Sequence, residues 1–358
     1  VATFLLVAAV GMTQTPTPNV WETLFPQGLL NQAGEPVNVA TLQGKYVGIY
    51  FAAQWCPNCK VFSPILVPFR NENNKDFEVV FVSSDKNETA QFNYMKEFNM
   101  LWTTVKYQSA PVFALKKRFG IKTIPTLIVL SPSGELITRD GRGEVAANPA
   151  GALAAWKSAI PQPLPPLPEL NDALLPLVDG KRLTTLNERV VNETQAARAI
   201  PQKAWVKGTV GNTSFDITFD RTAWTITGKA GDRPVDIRID HDGKKITGYA
   251  HDSGVDLAFT WNTLEIAYDG AAYGTPFWMN IAWPQKMVYG GVSCTLMELS
   301  FDLSKGILDG YLGEKMTHLR LDAASGLLTG ELFQRPVHLQ LTNLDLSDFI
   351  QHIYLFMR

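Results

Sequence analysis

The chain has 358 residues, 46% hydrophobic and 18% charged, which is enough for two domains with separate cores. Its net charge of −2 gives no electrostatic basis for binding nucleic acid or an anionic membrane surface. Three cysteines cannot build a disulfide framework, so they serve chemistry or packing.

In chain order, the first segment is an apolar run from Val1 to Met12, too short to span a bilayer. It reads as the core of a secretory signal, with Ala9-Val10-Gly11 as a small-residue cleavage site. Residues 13–19, rich in Thr and Pro, read as a tether. Residues 1–19 are therefore expected to be a signal remnant and tether, and the protein to be exported to a periplasm or the cell exterior. A buried first strand or helix, in a cytoplasmic protein, is the alternative. Nothing else reaches transmembrane length.

Residues 20–160 alternate strands and helices. Leu29 to Val37 reads as strand, turn and strand. Tyr46 to Ala52 is an apolar strand that delivers Trp55-Cys56-Pro57-Asn58-Cys59-Lys60 onto a helical pattern of Val61, Ile65, Leu66 and Phe69, with a kink expected at Pro64. Phe77 to Val82 is an apolar strand suited to a parallel sheet. Helices are expected over 88–98 and from Pro111 to Gly120. The strand opening at Pro125 runs to Leu130 and turns at Ser131-Pro132-Ser133-Gly134 into Glu135–Thr138. A helix over 145–160 closes the domain. This order indicates an α/β sandwich around a mixed sheet.

The paired cysteines carry the chemistry. At a helix start, unpaired N–H groups and the helix dipole favour a thiolate at Cys56. Pro57 suits the first turn, where its missing N–H costs nothing. Cys59, one turn later, can close a disulfide with Cys56 and expel what it has bound, and Lys60 adds positive charge. A zinc site would need two more ligands, yet the third cysteine is the distant Cys294 and all five histidines lie in the second half of the chain. An inert buried pair is the other alternative. Thiol–disulfide exchange is the favoured chemistry, with no metal and no cofactor beyond a redox-active Cys56–Cys59 disulfide.

Three stretches resemble the thioredoxin superfamily, in its tryparedoxin and nucleoredoxin branch: Val47 to Cys59, Phe77 to Asp85, and Phe119 to Leu127. The spacing from Cys56 to Pro125 leaves room for that branch's extra strand and helix. The resemblance implies that Cys56 is an exposed nucleophile and Cys59 the resolving thiol. It implies further that Pro125 is a cis-proline facing the disulfide, that Ile124 offers backbone groups to a bound substrate strand, and that Trp55 shapes the rim. Pro57-Asn58 departs from the usual residues between the cysteines and leaves the redox potential open. Tyr50 stands where many thioredoxins carry a buried carboxylate; it cannot act as a carboxylate base near neutral pH. The proton acceptor for Cys59 is therefore unassigned, and Tyr50 reads as a core aromatic.

Residues 161–203 comprise a polyproline spacer, Pro161 to Pro168, and a poorly determined segment with a helix expected over 187–200. From 204 to 343 the chain repeats. Gly208, Gly228, Gly248, Gly270, Gly290, Gly310 and Gly330 recur about every 20 residues, each followed by an alternating set such as Phe215/Ile217/Phe219. Only Thr317 breaks the apolar series, and Asp220, Asp240, Asp302 and Asp322 share one position. Each unit reads as two strands and two turns, giving about fourteen antiparallel strands that must close into a barrel or fold into two layers. The strands are short for a membrane barrel. His318 and His338, at equivalent positions, read as solvated, and Cys294 as a small buried residue. Residues 344–358 read as a tail.

The expected function is thiol–disulfide exchange on protein thiols and disulfides, with an unidentified electron donor or acceptor. The β-repeat domain would bind a partner, possible envelope partners included. The alternative is an envelope scaffold whose first domain is an adaptor.

Overall fold

The computed structural model describes residues 19–107, 110–166, 201–262 and 264–358. The expected signal segment and the helix over 187–200 lie outside these residues.

The first domain is built on β3 (Tyr46–Ala52) and β4 (Phe77–Ser83), which pair in parallel and bury nearly every side chain. Short strands β1 (Leu29–Leu30), β2 (Pro36–Val37) and β5 (Thr103–Thr104) extend the sheet beyond β4. On the other side β6 (Thr126–Leu130) runs antiparallel to β3, followed by β7 (Leu136–Thr138). The order β2-β1-β5-β4-β3-β6-β7 is the expected mixed sheet. Glu78 is buried on β4 because Arg70 grips it with two N–H groups at 2.7 Å, a bidentate pair.

Helices cover the sheet: α1 (Val20–Leu24), α2 (Pro57–Glu72), α3 (Glu88–Glu97), α4 (Ala110–Phe119), α5 (Gly141–Ala147) and α6 (Pro149–Ser158). Helix α2 continues through Pro64 and Pro68. The single helix expected over 145–160 is two. Asn148 ends α5 and caps α6 through its side chain, and Pro149 opens α6. The expected spacer also starts later than Pro161. Gln162 exchanges two backbone hydrogen bonds with Leu136, and Arg118 donates to the Pro165 carbonyl at 2.6 Å.

The repeats form one closed barrel of fourteen strands, from β8 (Lys203–Val210) to β21 (Arg335–Thr342), every neighbour antiparallel and the ring sealed by β21 on β8. Inward positions are apolar and buried, as with Phe215, Ile217 and Phe219, while Lys207, Asp216, Asp236 and Arg238 point to solvent. Closure removes the sheet edges. Buried Thr317 is satisfied, since its Oγ1 accepts the Phe333 N–H at 3.2 Å. The recurrent aspartates shape the longer turns: Asp220 Oδ1 accepts the N–H groups of Thr222 and Ala223, each at 2.9 Å.

The repeat glycines have a backbone reason. Gly228 sits at φ +143°, and a Cβ there would collide with the Asp216 carbonyl of the neighbouring strand. Gly228→Ala is therefore expected to destabilise the barrel by at least ~2 kcal/mol, read as a lowered urea midpoint.

The expected tail is a core element. Helix α7 (Leu346–Gln351) opens with a capping box between Asp345 and Asp348, and a single 3₁₀ turn, Ile353–Phe356, follows. Their apolar side chains are buried with the inward faces of the strands; Tyr354 packs against Tyr268 and Phe277, and Phe356 against Phe215.

Candidate functional site

Cys56 is the N-cap of α2, and the Cys59 N–H points at its sulfur, 3.4 Å away. Pro57 and Asn58 lie exposed in the first turn. The Ile124–Pro125 peptide is cis, and the Ile124 carbonyl lies 3.5 Å from Cys56 Sγ. Trp55 donates its indole N–H to the Ser84 carbonyl at 2.9 Å. The structure thus gathers Trp55, Cys56, Cys59, Ile124 and Pro125 at one place.

Cys56 is not exposed, however, and its partner is not Cys59. It is fully buried and disulfide-bonded to Cys294, 238 residues away. Cys59 is a buried free thiol. The cause lies in the barrel, where β16 (Met287–Val292) turns through Ser293 and Cys294 into β17 (Thr295–Asp302) at the rim that meets the first domain. The Ile124 N–H donates to the Cys294 carbonyl at 3.1 Å, and the Leu296 N–H donates to the Lys122 carbonyl at 3.0 Å. Thr123 and Thr295 face each other in this antiparallel bridge. The rim strand thus adds to the loop before Pro125 by main-chain pairing, as an added β-strand does.

Side chains complete the junction. Trp55 packs on Trp278 (ring centroids 5.7 Å apart) and Phe113 on Tyr289 (5.5 Å). Gly291 leaves room for both indoles, where any Cβ would strike them. Lys122 pairs with Glu314 at 3.5 Å, and Lys86 pairs with Asp269. Lys60, expected to favour the Cys56 thiolate, is instead bonded to Glu97 at 3.3 Å, which offsets its charge.

Burial pushes the Cys59 thiol up to about 12, and the nearby Asp85 carboxylate adds to the rise. Tyr50 is a buried core aromatic whose hydroxyl bonds Ser63 at 2.9 Å, and Ser63 bonds Tyr94 at 2.7 Å. A buried carboxylate does act on Cys59: Asp85, two residues past β4, which was not singled out from the sequence although it ends one of the three stretches that carry the resemblance. Burial raises Asp85 to about 6, against hydrogen bonds from the Gln54 N–H (2.7 Å) and the Ser83 hydroxyl (2.8 Å). Asp85 lines a small cavity between the domains, together with Lys116 and, from the barrel, Tyr289 and Glu298. Burial lowers Lys116 to about 8, opposed by Glu298 and Asp85.

Among the described residues no group of three or more His, Cys, Asp or Glu is placed to hold a metal. His318 is exposed and bonds Asp309 at 2.7 Å, and His338 is exposed two strands away. No helix among the described residues is long and apolar enough to cross a membrane.

Residues 44–136 match the family model described as Thioredoxin-like. Nucleoredoxin of Mus musculus is 40% identical over 132 residues, covering 36% of this chain and 30% of that protein. Tryparedoxin of Trypanosoma brucei brucei is 39% identical over 132 residues, covering 36% of this chain and 90% of that protein. A solved structure of tryparedoxin from Trypanosoma brucei is 35% identical, covering 39% of this chain and 94% of that one, with a TM-score of 0.34. The chain spans about a third of the length of the nucleoredoxins it matches. A first domain that takes in nine-tenths of a tryparedoxin at this identity, with a separate β-barrel behind it, assigns the family: the chain belongs to the thioredoxin-like proteins, among the tryparedoxins and nucleoredoxins.

Proposed function

We propose that the protein is a thiol–disulfide oxidoreductase acting on protein disulfides through Cys56 and Cys59, with the barrel as its partner-binding module. The observation that carries this reading is the placement of Cys56 at the start of α2, beside the Ile124 carbonyl and Pro125, with Cys59 one turn behind. The Cys56 thiolate attacks a substrate disulfide, forming a mixed disulfide and releasing one substrate thiol. Cys59 then attacks Cys56, closing the Cys56–Cys59 disulfide and releasing the second substrate thiol. A thiol donor returns the pair to the dithiol. Asp85, a buried carboxylate whose charge acts on Cys59, supports a proton-accepting role for that group.

Cys56→Ser is expected to remove reduction of insulin disulfides in the presence of dithiothreitol, leaving only the uncatalysed rate. Retention of full activity would refute the mechanism. Export, proposed from the apolar run before Met12, is checked by the mature N-terminus in the native host, expected near Met12.

A further inference from the structure

We propose that Cys294 is a third redox cysteine of this protein: a tethered substrate thiol that occupies the cleft and exchanges Cys56 with Cys59. The inference rests on the thiol–disulfide activity proposed above and adds its intramolecular partner.

The barrel's geometry carries it. One rim consists of seven two-residue turns, at 211–212, 231–232, 251–252, 273–274, 293–294, 313–314 and 333–334. The second residue of each is Asn212, Asp232, Asp252, Gly274, Cys294, Glu314 and Gln334. Six are polar or glycine, as exposed hairpin tips require. The cysteine stands at the one turn that enters the first domain. There Cys294 and Leu296 are 8% and 7% exposed and belong to the first domain's apolar core. The adjacent turn at 313–314 contributes Glu314 to Lys122. Two backbone hydrogen bonds on either side of Thr295, one of them to the Cys294 carbonyl itself, hold the cysteine against the loop before the cis-proline and bring its sulfur onto Cys56.

The exchange balances without an outside reactant. The Cys59 thiolate attacks Cys56 Sγ, the Cys56–Cys59 bond forms, and the Cys56–Cys294 bond breaks. Cys294 leaves as a thiolate and takes up the proton that Cys59 gave up. One disulfide and one thiol exist before and after, so nothing is oxidised or reduced overall. In the docked isomer Cys56 is closed to outside disulfides. In the other, Cys294 is free to leave the cleft.

The test uses the full chain with Cys59→Ser, oxidised with diamide, quenched in acid, alkylated with N-ethylmaleimide and digested without reductant. A peptide pair joining Cys56 to Cys294 within one chain is expected in more than about nine-tenths of the protein. Cys294 found alkylated throughout, or Cys56 joined only to a second chain, would overturn the proposal. Cys294→Ser, with its circular dichroism compared with wild type, gives a second readout. Its insulin-reduction rate is expected to rise about fivefold or more, because the tethered competitor no longer bonds Cys56, whereas an unchanged or lower rate counts against a tethered substrate. The linked peptide is scored without turnover, so a failure of the activity reading shows separately, as insulin left intact by wild type and Cys294→Ser alike.

Discussion

Asp85→Asn is expected to slow resolution of a mixed disulfide at Cys56 by about 10²-fold at neutral pH, while making the protein more stable. With its thiol raised to about 12, Cys59 is almost wholly protonated at pH 7 and needs an acceptor. Asp85, raised to about 6, is mostly ionised there and can accept. In wild type the resolving rate should therefore rise through pH 6, and in Asp85→Asn this rise should vanish. Rapid-quench measurement of mixed-disulfide decay across pH 5–8 decides it; identical pH profiles in the two proteins would exclude Asp85.

The stability effect has the opposite sign. Burial favours the neutral acid, so the folded protein holds this proton more tightly than the unfolded chain, where aspartate lies near 3.8. The contribution is full below about pH 4 and is lost as pH rises through about 6, leaving a deficit of roughly 2–3 kcal/mol above it. Asparagine carries no charge and can still accept the Gln54 N–H, so Asp85→Asn should regain most of that at pH 7 and little at pH 4. A purely structural Asp85 would not yield slower exchange with higher stability.

Deleting residues 345–358 is expected to abolish cooperative folding of the barrel. Leu346, Phe349, Ile350, Ile353, Tyr354 and Phe356 are each at most 3% exposed. Burying one such side chain contributes roughly 1.5–3 kcal/mol. Together they rival the roughly 5–15 kcal/mol that separates a folded domain from its unfolded chain. Backbone partners would be lost as well: the Tyr273 hydroxyl donates to the Tyr354 carbonyl at 2.9 Å, and His251 Nε2 lies 3.1 Å from the Leu355 carbonyl. Near-ultraviolet circular dichroism and dye binding to exposed apolar surface would report the loss. A deleted chain that kept a sharp transition would show the barrel to be self-sufficient. Tyr354→Ala, a milder version, should cost about 3–5 kcal/mol.

What could be read in the sequence was what local spacing encodes. The two cysteines at a helix start, the proline before β6 and the alternating face of each repeat are short-range patterns, and the architecture follows them. The proline's cis geometry came from the family resemblance. Closure of the barrel was left open because one strand's alternation is the same in a ring and in two layers; the pairing of β21 with β8 decides it. The terminal helix was missed although Leu346, Phe349, Ile350 and Ile353 have helical spacing, because the segment follows the last repeat. The Cys56–Cys294 pairing joins positions 238 residues apart and leaves no local trace. One signal did exist: in the repeat frame, cysteine replaces the polar residue or glycine found at the same turn position in every other unit.

The rim strand at Cys294 to Leu296 also sets the terms on which any other polypeptide reaches Cys56. A segment held by its own chain competes as though present at roughly millimolar concentration. A free partner strand of equal intrinsic affinity must approach that concentration before it occupies half the clefts, whereas one binding a thousandfold more tightly needs only about a micromolar. If Cys56 is the nucleophile proposed above, the barrel would then work as a threshold, shielding it from the many weak thiol and disulfide encounters of a crowded compartment and yielding to the few partners whose contacts exceed its own.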